Sequence, residues 1–355
     1  MDDLQIFKEK FDLFLKARLK QKTKQLATYS KDPFVLDYID YAKKITVIGG
    51  KRIRPYIAYL MYKSFGGKEE EKVLKLLTSL EILHSFLLMH DDIIDKGTLR
   101  HGIKTSHIYI ANKLTKAQRH GEYLNLGKSQ AMLLGDFLFS WSQEIINQNS
   151  DFNEKILKNL RRYFYAMVDK VILGEMIDVD LTTRKSVTND LIDQEFRLKT
   201  ASYSFIGPMQ IGVALADKTT KKIEKLCIEL GTNLGIAFQI QDDLLDIMST
   251  DKNMSKATSS DILQHQHTYF TQYIFEHGSK NQINTLNSLF EQKKNKSDKS
   301  KIKKLFVESG AIKMGKQIIE NCIDKARELV KEFTIQEDKK RELILLIETI
   351  RKRTY

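Results

Sequence analysis

Proline is nearly missing from this chain: Pro33, Pro55 and Pro208 are the only three in 355 residues. Glycine, at 17 residues, does not make up the shortfall in turn formers. A fold of many short strands needs frequent punctuation, so this scarcity excludes it and favours long helices. Cysteine is scarce too. Cys227 and Cys322 make one bridge at most, which excludes a disulfide scaffold and points to a reducing compartment, the cytoplasm. No run of about 18 apolar residues occurs, so no membrane span is expected and peripheral association is the membrane contact left open. The first residues do not read as a signal peptide, because they are acidic from the second position and lack a continuous apolar stretch. Ile6, Phe7, Phe11, Phe14 and Leu15 recur there at helical spacing and mark an N-terminal helix over 1–30. Linkers rich in Pro, Gly or Ser and fixed-period repeats are also missing, so the pattern is that of one domain over 1–355.

What is present is charge and helical periodicity. Lys and Arg number 58 against 46 Asp and Glu, a net +12, with 42% hydrophobic residues, which excludes a wholly disordered chain. Much of the excess lies between Lys293 and Lys304, read as a solvated basic loop over 291–304. No aromatic residue interleaves there as a base-stacking platform requires, so nucleic acid is not an expected partner. The remaining excess suits anionic small molecules.

Apolar residues recur at helical spacing nearly throughout. The spacing predicts helices over Ile53–Phe65, Glu71–Asp92, Ser129–Gln148, Glu154–Asp180, Asp190–Ala216, Lys221–Met248, His267–Phe290 and Ser309–Glu332. Polar, irregular stretches are expected over Lys96–Lys128, Ser249–His265 and Glu291–Lys304. Runs such as LTSLEILHSFLLMH are apolar on most faces and belong inside a large all-α bundle.

Two of these helices end in the same pattern, Asp91-Asp92-Ile-Ile-Asp95 and Asp242-Asp243-Leu-Leu-Asp246. Residues four apart share a helix face, so Asp91 stands beside Asp95 and Asp242 beside Asp246. Two carboxylates about 4 Å apart repel by roughly 4 kcal/mol at an effective dielectric near 20. Such clusters call for cations, and oxygen-only ligands select a hard one, Mg²⁺ before Ca²⁺. Carboxylate-held Mg²⁺ usually also holds a phosphate. Cationic partners are at hand. Gly49-Gly50-Lys51-Arg52-Ile53-Arg54-Pro55 places glycines for close backbone approach before three cations and a proline suited to a first helical turn. Its spacing is not that of a P-loop. Arg100 follows the first cluster and Lys256 the second.

Together LEILHSFLLMHDDIID, LRHG, GGKRIRP, RLKTASY, GIAFQIQDDLLDI and ESGAIKMG resemble the trans-isoprenyl diphosphate synthases, the polyprenyl synthetase family, from about Ile48 to Ala326. The resemblance implies an all-α bundle around a central cavity, usually a homodimer. It implies head-to-tail condensation of isopentenyl diphosphate with an allylic diphosphate, releasing pyrophosphate. Asp91, Asp92, Asp95, Asp242, Asp243 and Asp246 would then hold Mg²⁺, three ions per site, against the allylic diphosphate. Arg100, Lys199, Thr200, Gln239 and Lys256 would grip that diphosphate. Gly50, Lys51, Arg54, His84 and His101 would receive isopentenyl diphosphate, His101 only when protonated, as a nearby diphosphate would favour. Asp91, Asp92, Asp95, Lys199 and Asp242 would carry the catalysis. A non-catalytic or regulatory subunit of a heteromeric synthase is the alternative, against which both intact Asp motifs weigh.

Three positions depart from the family pattern. His101 replaces the second Arg after the first motif, Glu175 replaces Gln before Asp178, and His265-Gln266 replaces Gly-Lys before Thr268. Phe86 lies five residues before Asp91, just over one turn. An aromatic there resembles the floor of a geranylgeranyl-type site, so a twenty-carbon product is expected first and a fifteen-carbon one next.

Overall fold

The computed structural model describes residues 3–248, 266–291 and 298–352. The helices, in chain order, are α1 (Asp3–Tyr29), α2 (Pro33–Val47), α3 (Ile53–Ser64) and α4 (Glu70–Ile94). Strands β1 (Leu99–Arg100) and β2 (Ile103–Lys104) form a minimal antiparallel hairpin. Next come α5 (Ser106–Lys116), α6 (Tyr123–Asn147), α7 (Glu154–Leu181) and α8 (Asn189–Glu195). A π-helix spans Phe196–Ile206 and runs into α9 (Gly207–Leu215) and α10 (Lys221–Met248). The last are α11 (Tyr269–His277), α12 (Lys280–Glu291), α13 (Asp298–Glu308), α14 (Ala311–Glu332) and α15 (Glu337–Arg351). The fold is all-α, as the scarcity of turn formers required.

The chain resolves into two compact units, Met1–Tyr62 with Gly66–Arg161, and Lys63–Phe65 with Arg162–Tyr355. In the first, α4 is the central helix and packs on α1, α2 and α6. Leu76, Leu77, Ile82 and Leu83 are buried on successive faces, which is why its sequence is apolar almost all round. Among described helices α4 alone has the length and apolarity of a membrane span, and 72% of that apolar window is buried inside the protein, as in the core helix of a bundle. In the second unit α10 is central and packs on the π-helix, α14 and α15.

Several boundaries differ from the sequence expectation, each for a local reason. The segment 190–216 is not one uniform α-helix, because Pro208 offers no N–H to the preceding turns and the ladder widens before it. The expected helix over 267–290 breaks at Gly278, and its first part starts at a Thr268 capping box. The expected loop over 291–304 is helical from Asp298. The expected irregular stretch 96–128 contains the hairpin, α5 and the start of α6. Asp32 caps α2 by accepting from the Phe34 and Val35 amides, both at 2.9 Å, with Pro33 in the first turn.

Candidate active site

The first Asp cluster closes α4 in a recognisable helix end. Asp95 is the cap, Lys96 stands in the left-handed region at φ 56°, and the Gly97 amide donates to the Asp92 carbonyl at 2.9 Å. Asp91, Asp92 and Asp95 therefore crowd the negative end of the helix dipole, where each carboxylate is disfavoured by about 0.3–1 kcal/mol. No basic residue in that last turn offsets them. The hairpin does. Arg100 on β1 donates from Nη2 to Asp91 Oδ2 at 3.0 Å, and from Nε and Nη2 to Asp92 Oδ1 at 3.0 and 2.5 Å. The predicted diphosphate ligand thus serves as counter-ion to the predicted metal ligands.

The hairpin explains His101. His101 and Gly102 are its two turn residues, at φ 51° and 77°, and a two-residue turn with both centres left-handed matches the twist of the strands. Histidine tolerates that region better than most side chains. Without ligand, burial first, then Arg100 and Arg52, holds the His101 pKa below the usual histidine range. Its ring lies against Gly49, where a Cβ would stand 2.6 Å from His101 Cγ.

The GGKRIRP loop folds with Gly49 and Gly50 both at φ 72°. Lys51 is exposed, and among the described residues no ion pair engages it. Arg54 Nη1 lies 3.1 Å from His84 Nε2. A guanidinium only donates, so Nε2 accepts and the His84 proton sits on Nδ1. Burial first, then Arg54, keeps that ring neutral, its pKa well below the ordinary value. His84 therefore orients Arg54 and offers no positive charge of its own. Phe86, buried on α4, stacks on Phe139 of α6 at 4.9 Å between centroids.

In the second unit the predicted residues Lys199, Thr200, Gln239, Asp243 and Asp246 lie on two elements. Thr200 in the π-helix donates to Gln239 Oε1 at 2.7 Å, and Gln239 Nε2 donates to Asp243 Oδ1 at 2.9 Å. Asp243 and Asp246 are buried at the end of α10, where again no basic residue stands in the last turn. Asp242 lies beside Asp243 on the same turn. Lys199 binds Asp178, and Glu175 at 2.9 Å, while Gln266 also donates to Asp178. The three departures at 101, 175 and 266 all occupy defined places. Gly174 explains the close approach of α7: a Cβ there would stand 2.2 Å from the Lys199 nitrogen. Lys256 lies outside the described residues.

Sequence reasoning missed Glu195. Its residue is only 4% exposed. Burial, then Asp178, with Asp243 and Glu175 adding and Lys199 opposing, holds its pKa well above the carboxylate range. The only signal in the sequence was its place four residues before Lys199. The linkage follows from that raised value. Above pH 4.5 the unfolded chain loses this proton and the folded chain keeps it, so native stability falls as pH rises towards the folded-state value. Glu195→Gln removes this effect. Its advantage over the native protein should grow by at most about 1.4 kcal/mol per pH unit above pH 4.5. Thermal unfolding of both proteins without metal between pH 4.5 and 8 measures this, and parallel profiles would refute it.

Among the described residues no three His, Cys, Asp or Glu converge closely enough to cage a metal by themselves. The donor sets still fit Mg²⁺, which keeps several waters and is typically held by one or two carboxylates together with substrate phosphates.

Long buried helices ending in aspartate clusters beside cationic loops define an isoprenoid-synthase fold. The chain belongs to the polyprenyl synthetase family, whose model matches residues 37–308. It is 29% identical over 232 residues to the geranylgeranyl diphosphate synthase of Methanosarcina mazei, 65% of each chain. It is 30% identical over 257 residues to the short chain isoprenyl diphosphate synthase of Methanocaldococcus jannaschii, 72% of this chain and 71% of that one. The matched region spans somewhat under two thirds of some curated relatives, 61% for the geranylgeranyl diphosphate synthase of Saccharolobus solfataricus. Among solved structures, the geranylgeranyl pyrophosphate synthase of Corynebacterium glutamicum, complexed with isoprenyl diphosphate and magnesium, superposes with a TM-score of 0.89 at 24% identity, covering 97% of this chain and 99% of that one.

Proposed function

We propose that this protein, acting as one polyprenyl synthetase domain over 1–355, is a Mg²⁺-dependent trans-prenyltransferase. It condenses isopentenyl diphosphate head to tail with an allylic diphosphate and releases pyrophosphate, with geranylgeranyl diphosphate the main product and farnesyl diphosphate next. The observation that carries this reading is the placement of the first aspartate cluster at a helix end whose own dipole disfavours it, with Asp243 and Asp246 of the second buried, in a chain of this family. Asp91, Asp92, Asp95, Asp242, Asp243 and Asp246 are the carboxylates available to three metal ions. Mg²⁺, when bound, neutralises charge on the departing pyrophosphate.

The chain's own groups do the rest. Arg100 exchanges its carboxylates for the allylic diphosphate, and Lys199 and Lys256 add positive charge. Thr200 and Gln239 fix Asp243. Gly50 lets the backbone approach an anion, Lys51 and Arg54 bind isopentenyl diphosphate, and His84 and His101 stand beside them. The apolar surface around Phe86 keeps water from an allylic carbocation.

A homodimer is proposed as the working state. Leu126, Leu133 and Phe137 on α6 recur along one helix face and are 38%, 55% and 38% exposed, an apolar stripe of the kind that marks an interface. The buried, unbridged Cys227 and Cys322 suit a reducing cytoplasm.

The test is incubation with Mg²⁺, labelled isopentenyl diphosphate and each of dimethylallyl, geranyl and farnesyl diphosphate, with products read by mass spectrometry. A twenty-carbon diphosphate is expected as the main product. Inactivity with every starter would overturn the reading in favour of a non-catalytic subunit.

A further inference from the structure

The three cations of GGKRIRP are not equivalent. Lys51 is exposed, whereas Arg52 is 3% exposed. A guanidinium has five N–H donors. Here Nε donates to Asp12 Oδ1 at 2.8 Å, Nη1 to Glu81 Oε1 at 2.5 Å and to the Thr46 carbonyl at 3.2 Å, and Nη2 to the Val47 carbonyl at 2.8 Å. The fork that would straddle a diphosphate is already filled, so Arg52 is not an anion ligand.

Its backbone tells the same story. Arg52 stands in the left-handed region at φ 54°, which a side-chain-bearing residue adopts only when its surroundings hold it. Gly50 makes room for it, since a Cβ there would stand 2.9 Å from Arg52 Nη1. Four segments meet at this guanidinium: α1 through Asp12, the end of α2 through Thr46 and Val47, α4 through Glu81, and the loop itself. Glu81 lies three residues before His84 on α4, and His84 receives Arg54. Lys51 directly precedes Arg52 and Arg54 follows two residues later, so any backbone rotation at Arg52 moves one relative to the other.

We propose that Asp12 on the N-terminal helix is a positioning residue for isopentenyl diphosphate: with Glu81 it clamps Arg52, and the clamped Arg52 sets the spacing between Lys51 and the Arg54–His84 pair. This rests on the reading that Lys51 and Arg54 receive that substrate. The two carboxylates are unequal. The Glu81 side chain is 4% exposed, and without it Arg52 would lose its buried partner. The Asp12 side chain is 16% exposed and also lies 3.8 Å from Lys8. Asp12→Asn therefore leaves the Arg52–Glu81 pair neutral and the fold intact, while one jaw of the clamp weakens from an ion pair to a neutral hydrogen bond.

Asp12→Asn, Asp12→Glu and Lys51→Ala are made in the full chain. Steady-state constants are measured separately for isopentenyl and allylic diphosphate, together with Tm and calorimetric binding of isopentenyl diphosphate. Asp12→Asn should raise the isopentenyl KM and weaken isopentenyl binding by about fivefold, with kcat and the allylic KM within about twofold. Asp12→Glu, which keeps the charge, should stay near the native values. Equal changes in both KM values, or a loss of kcat that follows a lowered Tm, would reduce Asp12 to a stability residue and overturn the proposal. So would an unchanged isopentenyl KM in Asp12→Asn when Lys51→Ala raises it. If Lys51→Ala itself leaves isopentenyl binding intact, the site reading falls, and the clamp loses its purpose with it.

Discussion

Asp91→Asn is expected to lower condensation turnover by about a thousandfold, in the range found when one preorganised charge at a reacting centre is removed. The substitution preserves shape. Asp91 is half-buried on the last turn of α4, and an amide oxygen in its place still accepts from Arg100, which lies 3.0 Å away. What changes is charge. The native cluster crowds negative groups at a helix C-terminus, so removing one relieves repulsion and Tm should hold or rise slightly. An activity loss without a stability loss is the signature of a group placed for function at the expense of local electrostatics. The measurement is kcat at saturating Mg²⁺ with both substrates, beside a Mg²⁺ titration whose midpoint should move upward. Activity within tenfold of native would remove Asp91 from the metal-binding set.

How much of this was legible in the sequence depended on whether the signal was local. The start of α10 at Lys221 and its course followed from periodicity alone, because a long helix with one continuous buried stripe writes its own pattern. Both Asp clusters were legible for the same reason, as acids where an apolar run stops. The π-helix was not, because a ladder widened by one residue leaves the apolar spacing nearly unchanged. The break at Gly278 was hidden because apolar residues resume on its far side, at Ile283, Leu286 and Leu289. Partners were harder still. Arg52 read as a third cation for an anion, since nothing nearby in sequence reveals Asp12, forty residues away, or Glu81, twenty-nine residues ahead. Glu195 went unnoticed, because burial is a property of packing and not of spacing. His101 was read from the missing arginine, whereas the turn geometry accounts for what stands there.

Phe86→Ala is expected to lengthen the product by at least one five-carbon unit. The ring sits on the face of α4 one turn before Asp91, 7% exposed, and stacks against Phe139 with centroids 4.9 Å apart. His90 packs edge-on to the same ring at 4.7 Å and donates from Nε2 to the Met132 carbonyl at 3.1 Å, which keeps the end of α4 against α6. A chain growing from a diphosphate held at Asp91 would meet Phe86 first and Phe139 behind it. Removing the first ring opens space that is apolar and therefore favourable for an isoprenoid tail. A phenylalanine truncated in a core costs about 3–5 kcal/mol, so the variant should also unfold at lower temperature, and bound long-chain product should restore part of that loss by filling the hollow. The two-ring stack makes the effect graded: Phe86→Ala/Phe139→Ala should give longer products than Phe86→Ala, and Phe139→Ala alone should change little while Phe86 still blocks the way. Mass spectrometry of products formed with excess isopentenyl diphosphate decides it. Native product lengths from Phe86→Ala would move the floor elsewhere, and a shift in Phe139→Ala equal to that in Phe86→Ala would reverse the order of the two rings.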